Sequence, residues 1–172
     1  MAISSGFPPV SRGDASILIL GSLPGDRSIR EQQYYAHPQN AFWRIMRELF
    51  GVDGDYASRC AGLLENRVAL WDVLHSSVRP GSMDAEIRLA SATANDFATF
   101  FGGHPGVRLV AFNGRKAEQL FARLVEPIGV ARGIARVGLP STSPAYASMP
   151  YSGKLAAWRE ALVKQEETGG GR

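Results

Sequence analysis

Residues 16 to 26 read SILILGSLPGD, and the class of the fold can be inferred from this stretch. Ile17 to Leu20 are four consecutive large apolar residues that stop at a glycine, which is typical of a strand buried on both faces. The Gly-Ser-Leu-Pro-Gly segment that follows is a turn. Because a strand buried on both faces needs a covering layer on each side, the stretch predicts one strand of a parallel sheet in an α/β protein.

Three further apolar runs repeat this pattern. They span residues 67–71, 107–112 and, more weakly, 134–139. Apolar residues at helical spacing lie between and after the runs, at Phe42, Ile45, Met46, Leu49 and Phe50, at Phe97, Phe100 and Phe101, at Ala117, Leu120, Phe121 and Leu124, and at Leu155, Trp158 and Leu162. Since strands alternate with helices, we expect a parallel sheet with helices on both faces.

The composition fits one globular domain. The chain has 172 residues, of which 45% are hydrophobic and 20% charged, and it contains no internal repeat and no biased linker. Its two ends are rich in Ser, Pro and Gly. We therefore predict a flexible segment at residues 1–14, a single domain at 15–166 and a flexible tail at 167–172.

The residue counts limit the possible partners and cofactors. Cys60 is the only cysteine and there are three histidines, without the spacing of a metal site, so we expect no metal and no cofactor. There is no signal peptide and no run of 18 apolar residues, which predicts a soluble, cytoplasmic protein without a membrane partner. The net charge of +3 permits a polyanionic partner but does not establish one.

Ligands of a parallel sheet bind beyond the carboxyl ends of its strands. Three turn-forming loops occupy such positions: residues 21–26, Asn113-Gly114 and residues 140–145. We expect these loops to converge on one pocket.

The loops of the predicted pocket lack the sequence motifs of common nucleotide-binding and hydrolase sites. GSLPGDRS has neither the Lys-Ser/Thr ending of a phosphate-binding loop nor a GxGxxG pattern, and no GxSxG nucleophile motif is present. What remains is a set of amides, hydroxyls and aromatic rings at Ser22, Tyr34, Tyr35, Asn40, Phe42, Asn113, Ser141, Thr142 and Ser143. Such groups hydrogen-bond and stack, which suits a nucleobase as the ligand.

Four motifs in order resemble those of the uracil-DNA glycosylase superfamily: GSLPG at 21–25, YAHPQNAFW at 35–43, FNG at 112–114 and LPSTSPA at 139–145. Together with LWDVL at 70–74, they are most similar to the hypoxanthine-DNA glycosylase branch. The resemblance implies a three-layer α/β/α sandwich and a monofunctional enzyme that hydrolyses the N-glycosidic bond of a deaminated base, chiefly hypoxanthine, flipped out of DNA. It also implies a DNA partner and, as we expect, a monomer.

The resemblance assigns roles to individual residues. Leu23 stands where mismatch-directed uracil glycosylases carry a water-positioning asparagine, and Leu139 stands where the best-known uracil enzymes carry a histidine. The resemblance gives the missing catalytic role to Asn40, which would hold a water near C1′, and makes Tyr35 the aromatic that stacks on the base. His37-Pro38 would provide the bend that delivers Asn40.

The base and the DNA strand would contact separate loops. We expect the base to meet the loop of Ser22, Leu23 and Pro24 together with the amide of Asn113. The hydroxyls and backbone amides of the last loop would grip phosphates, and a nearby side chain would fill the space that the base leaves; the residues are Ser141, Thr142, Ser143 and Tyr146.

Other interpretations remain open from sequence alone. Asn40 precedes a helix and is also a good N-cap residue, Asn113-Gly114 is also a strong turn signal, and Phe42 lies on the packing face of its helix. We interpret Asp26 and Asp72 as structural. The rival functions are a uracil or mismatch-specific (G:U or G:T) glycosylase of the same fold and a module that binds damaged DNA without cleaving it.

Overall fold

The computed structural model describes residues 3 to 163 of the chain. The strands are β1 (Ile3–Ser5), β2 (Ile17–Gly21), β3 (Val68–Asp72), β4 (Leu74–Val78), β5 (Thr93–Ala94), β6 (Leu109–Asn113) and β7 (Ala135–Leu139). The helices are α1 (Asp26–Glu31), α2 (Phe42–Phe50), α3 (Tyr56–Glu65), α4 (Phe97–Gly103), α5 (Arg115–Leu124) and α6 (Tyr151–Leu162), with 3₁₀ turns at Asp84–Glu86, Leu89–Ser91 and Glu126–Ile128.

The central sheet has four parallel strands in the order β3-β2-β6-β7. Every residue of β2, β3 and β6 is buried, which explains why their sequences are continuous apolar runs rather than alternating patterns. The edge strand β7 is mostly exposed. All four strands were predicted from the sequence, within two residues of their observed ends.

The strand register places the four carboxyl ends at one edge of the sheet. Gly21 at the end of β2 pairs with Asp72 at the end of β3, and Asn113 at the end of β6 pairs with Leu139 at the end of β7. The loops that follow these strands therefore leave the sheet side by side, as the predicted pocket requires.

Helices cover both faces of the sheet, as predicted. The chain moves from β2 to β3 in one direction and from β6 to β7 in the other, so right-handed crossovers place the intervening helices on opposite faces. On one face Phe42 of α2 meets Trp158 of α6, with ring centroids 6.1 Å apart. On the other face Phe97 of α4 meets Phe121 of α5 at 5.6 Å. The result is the α/β/α sandwich.

The amino-terminal segment differs from the prediction. Residues 3–10 belong to the packed structure: β1 forms a second, antiparallel sheet with β4 and β5, and Val10 bridges to Leu70 beside the main sheet. The Trp71 indole donates to the carbonyl of Phe7 at 2.9 Å, and the Tyr34 hydroxyl donates to that of Pro8 at 3.1 Å. The buried side chains of Trp71 and Tyr34 thus hold residues 3–10, although the composition of this segment predicts flexibility. The predicted tail, 167–172, lies outside the described residues.

Candidate active site

Thr142 connects three of the predicted site segments. Asn113 donates from Nδ2 to the Thr142 hydroxyl at 2.9 Å, and the Thr142 N–H donates to Asn113 Oδ1, also at 2.9 Å. The Thr142 carbonyl accepts from the N–H of Ala41 at 3.0 Å. The end of β6, the last loop and the segment that carries Asn40 are therefore bonded to one another, and both Asn113 and Thr142 are buried.

Ala41, the residue before α2, already has helical φ and ψ angles of −79° and −4°, so Asn40 stands in the N-cap place one residue earlier. A turn closes when the Asn40 N–H donates to the carbonyl of His37 at 2.9 Å, and the bend at His37-Pro38 predicted from sequence is present. Asn40 Oδ1 then accepts from the N–H of Phe42, the first residue of α2, at 2.9 Å. An amide oxygen has two lone pairs, so capping leaves one of them available for a water molecule.

Asn40 also lines an open cleft. The cleft has a volume of about 440 Å³ and lies between the lead-in to α2, the last loop and the start of α6; Asn40, Ala41, Arg44, Thr142, Tyr146 and Lys154 are among its walls. The Asn40 side chain therefore faces a space that solvent and a ligand can enter, while its backbone is fixed on both sides.

The last loop is braced by its own hydroxyls and by a lysine. Ser141 Oγ accepts from the Ser143 N–H, and Ser143 Oγ accepts from the Ala145 N–H, each at 3.2 Å. Lys154 Nζ, from the first turns of α6, donates to the Ser143 carbonyl at 3.2 Å and lies 5.3 Å from the centre of the Tyr146 ring. Burial lowers the pKa of Lys154. This lysine lies outside the motif loops, so no sequence motif points to it.

Tyr146 is exposed and stands between two clefts. It lines both the Asn40 cleft and a second one of about 610 Å³, which runs along Gly114, Arg115 and the end of β7. Ser141 borders only the second cleft. Of the four residues predicted to contact DNA, Thr142 is buried, and Ser141, Ser143 and Tyr146 are partly or largely exposed.

Tyr35 lies beneath the site in a strained backbone conformation. Its φ angle is +54°, which is uncommon for a residue other than glycine. Its ring packs on Phe42 with centroids 4.2 Å apart. Its hydroxyl is buried without a hydrogen-bond partner among residues 3–163. Burial, reinforced by the charge of Asp72, raises the pKa of Tyr35, and the neighbouring Asn113 side chain opposes this shift.

Asp72 occupies the same buried region as the Tyr35 hydroxyl. A Cβ on Gly21 would lie 2.5 Å from an oxygen of Asp72 and 2.9 Å from the Tyr35 hydroxyl, so a larger residue here would displace one of these side chains. Burial, reinforced by the charge of Asp84, raises the pKa of Asp72 to about 7. One carboxyl oxygen of Asp72 has no hydrogen-bond partner within the described part of the chain.

The predicted base-binding loop is buried at its start and held by a segment that the sequence did not reveal. Ser22, Leu23 and Pro24 are all buried, and none of them borders either cleft. Arg79 and Asp84, which lie beyond β4, contact this loop with their side chains. Arg79 is only 3% exposed. Arginine is usually exposed and no apolar pattern surrounds this one, so the sequence does not predict its burial.

Thus the predicted residues fall into two groups. Asn40 and Thr142 line the cleft, whereas Tyr35, Asn113 and the 22–24 loop do not border it. Between residues 3 and 163 no group of three or more His, Cys, Asp or Glu side chains is arranged to hold a metal ion. Nor does that part of the chain contain a helix long and apolar enough to cross a membrane.

Comparison with known proteins gives consistent results. The model of the uracil DNA glycosylase superfamily matches residues 8–165. A curated protein named hypoxanthine DNA glycosylase, from Methanosarcina barkeri, is 40% identical over 162 residues, which is 92% of this chain and 98% of the relative. A second protein of that name, from Methanosarcina acetivorans, is 42% identical over 146 residues, or 83% and 88% of the two chains.

A solved structure has the same fold. It is the solution NMR structure of a Methanosarcina acetivorans protein assigned provisionally as a uracil DNA glycosylase. The TM-score is 0.75 and the sequence identity 38%, with 93% of this chain and 99% of the other covered.

Proposed function

The chain belongs to the uracil DNA glycosylase superfamily, and from this membership we propose that it is a monofunctional DNA glycosylase that removes hypoxanthine from DNA. Two relatives at 40% and 42% identity carry the name hypoxanthine DNA glycosylase. The proposal includes DNA with a deaminated base as the partner and a monomer in the cytoplasm as the working form.

The observation that carries the proposal is the position of Asn40. It stands at the wall of an open cleft, bonded through Ala41 and Thr142 to Asn113 at the end of β6. A water held by the free lone pair of Asn40 Oδ1 would attack C1′ of a nucleotide whose sugar lies in this cleft and whose base inserts past the cleft toward Asn113 and the 22–25 loop. The glycosidic bond breaks with its electron pair going to the base, the water oxygen bonds to C1′, and the water proton passes to solvent or to the base.

An amide does not act as a general base, so the rate must come from elsewhere. The hypoxanthine anion is a better leaving group than the adenine anion, and fixed N–H donors would stabilise it as it departs. The N–H groups of the 22–25 loop and the second amide hydrogen of Asn113 are the proposed donors. Tyr35 would support the base from below.

The test is base release from duplexes that carry one hypoxanthine, uracil or xanthine, detected as strand breaks after alkali treatment. We expect release of hypoxanthine by the wild-type chain. Preferred release of uracil would instead support a uracil glycosylase, the second candidate, which the description of the NMR relative favours. A protein that binds the hypoxanthine duplex but releases no base would contradict the proposal.

Two Asn40 variants separate catalysis from capping. Asn40→Ala removes both the cap and the proposed water ligand, whereas Asn40→Ser keeps a good N-cap with a side chain too short to hold the same water. We expect both variants to lose base release by roughly 100-fold or more, in line with the removal of one preorganised group. Only Asn40→Ala should lose stability, by about 1 kcal/mol. Full activity of Asn40→Ser would limit Asn40 to capping.

A further inference from the structure

The backbone carbonyls of the loop that follows β2 are all occupied. Each carbonyl oxygen from residue 21 to residue 25 accepts a hydrogen bond. Three of the donors are backbone groups: Val73 N–H to Gly21, Leu74 N–H to Ser22 and Ile29 N–H to Gly25, at 2.8, 3.1 and 3.0 Å. The carbonyls therefore point toward these donors.

Arg79 supplies the other two bonds. Its guanidinium donates to the carbonyl of Leu23 at 3.4 Å and to the carbonyl of Pro24 at shorter range. Arg79 is 3% exposed, and burial lowers the pKa of its side chain against the raising effect of nearby carboxylates, of which Asp84 is the strongest. A buried cation is expensive unless it is paired and hydrogen-bonded, so this placement indicates a specific role.

The segment from Arg79 to Asp84 makes two more contacts with the same loop. The Ser22 hydroxyl donates to Asp84 Oδ1. The Ser82 hydroxyl accepts from the N–H of Asp26 at 2.9 Å. We call residues 79–84 the clamp segment, because it contacts the loop through three side chains from one side.

The clamp leaves donors of the loop free. Among residues 3–163, no acceptor pairs with the N–H of Leu23 or of Gly25. Pro24, between them, has no N–H. A loop whose carbonyls are all bound and whose N–H groups are free presents a positive partial charge, which favours a negative ligand group.

We propose that Arg79 and Asp84 are positioning residues of the glycosylase, which hold the Ser22–Gly25 loop so that its free N–H groups stabilise the departing base anion. The proposal rests on the proposed function. Arg79 and Asp84 do not contact the substrate; they act through the loop. Without the clamp the carbonyls of Leu23 and Pro24 would lose their donors and would be free to turn. A carbonyl that turned toward the base would place a negative partial charge beside the departing anion.

The experiment compares two leaving groups in single-turnover reactions. Hypoxanthine is a less acidic base than xanthine, so its departure depends more on stabilisation of the anion. The variants are Arg79→Gln, Arg79→Lys and Asp84→Asn, with Ser82→Ala as a mild variant at the exposed end of the clamp. Lysine keeps the charge of Arg79 but lacks the planar fork that reaches two carbonyls. Arg136→Gln, which breaks the Arg136–Glu126 ion pair, is the control.

We expect Arg79→Gln to slow hypoxanthine release by roughly 10- to 100-fold, and xanthine release by clearly less. Arg79→Lys should recover only part of the rate, and Ser82→Ala should show a small loss with the same preference. The affinity for a duplex with an uncleavable abasic-site analogue should stay unchanged, because no base anion is present in it. The Arg136→Gln control should react like wild type.

The proposal would be overturned if the variants lost hypoxanthine and xanthine release equally and in proportion to their fall in melting temperature, since the clamp would then be only structural. Wild-type rates in Arg79→Gln and Asp84→Asn would overturn it as well. If the wild-type chain releases neither base, the proposed function fails and the clamp proposal with it, whereas an active wild type with unaffected variants overturns the clamp alone.

Discussion

The Asp72 carboxyl is an acid placed where its charge is poorly solvated. It ends β3, is 4% exposed, and has Asp84 and Arg79 as charged neighbours. Burial is the main cause of its raised pKa, and Arg79 offsets only part of the shift. The sequence favours a structural interpretation of Asp72, which stays a prediction, and the raised pKa of Asp72 gives it a measurable effect on stability.

This effect predicts how stability depends on pH. The pKa of Asp72 is about 7 in the folded chain, against 3.8 for an ordinary aspartate. Between these two values the unfolded chain releases its proton while the folded chain retains it, so the free energy of unfolding falls as pH rises. The loss is at most about 4 kcal/mol and ends above pH 7.

Asp72→Asn should remove this dependence. Denaturant unfolding of wild type and variant at pH 5 and pH 8 measures it, since other groups contribute equally to both proteins. We expect the variant to gain stability relative to wild type as pH rises. Parallel pH profiles for the two proteins would show that Asp72 is ionised in the folded state throughout.

The Tyr35 hydroxyl also has a measurable effect on stability. It is buried without a partner, which costs about 1–3 kcal/mol relative to a satisfied group. Tyr35→Phe should therefore be at least as stable as wild type, and it should keep base release within a few fold, because the ring rather than the hydroxyl would support the base. Thermal melting and the duplex assay measure both. A large loss of activity would give the hydroxyl a chemical role.

At the scale of elements, the turn from β6 to α5 depends on glycine. Gly114 has φ +94°, and a Cβ there would lie 3.2 Å from the Cβ of Ser141 in the last loop. Gly114→Ala should destabilise the fold by about 1–3 kcal/mol and displace that loop. The matched control is Gly102→Ala: a Cβ at Gly102 meets nothing within 4 Å, and its place in α4 should make alanine neutral or stabilising. Equal melting temperatures for the two variants would contradict this account.

The elements that were predicted differ physically from those that were missed. Strands β2, β3 and β6 are buried on both faces, so their sequences carry an unbroken apolar signal. Helix α1 has only six residues and one buried side chain, Ser28, and therefore lacks an apolar stripe. Strand β4 reads Leu-His-Ser-Ser-Val, and its partners β1 and β5 are only three and two residues long. Such pairing depends on distant segments that no local pattern reveals.

The site shows the same division. Asn40 and Asn113 are predicted because each stands in a motif that resembles the glycosylase superfamily, and the structure connects them through Ala41 and Thr142. Arg79, Asp84 and Lys154 were missed, because each acts through a contact with a loop far away in sequence. The catalytic role of Asn40 and the base-binding role of Asn113 remain predictions.

Positive charge lies near both clefts. Arg44 lines the Asn40 cleft, where its guanidinium lies 3.7 Å from the centre of the Tyr151 ring, and Arg115 lines the second cleft. Both side chains are exposed. The net charge of +3 is small, so binding to DNA must depend on where the charge lies rather than on its total.

We expect Arg44→Gln and Arg115→Gln each to weaken DNA binding and to reduce the slope of log K against log salt concentration by about 0.9, the value for one phosphate contact. The control is Arg12→Gln, because Arg12 precedes β2 at the opposite end of the sheet and is paired with Asp14. Affinity titrations at several salt concentrations measure the slopes. An equal effect of the Arg12 change would mean that only overall charge matters.

The three bonds of Thr142 also bear on how this protein can be rebuilt. Its side chain and backbone N–H pair with Asn113, and its carbonyl holds Ala41. The three segments are those that carry Ala41, Asn113 and Thr142. If only one of them were replaced by the segment of a relative, it would have to bond to two segments that still fit the original one. We expect functional chimeras only when all three segments are exchanged together, so engineering of this protein must treat them as a single transplantable unit.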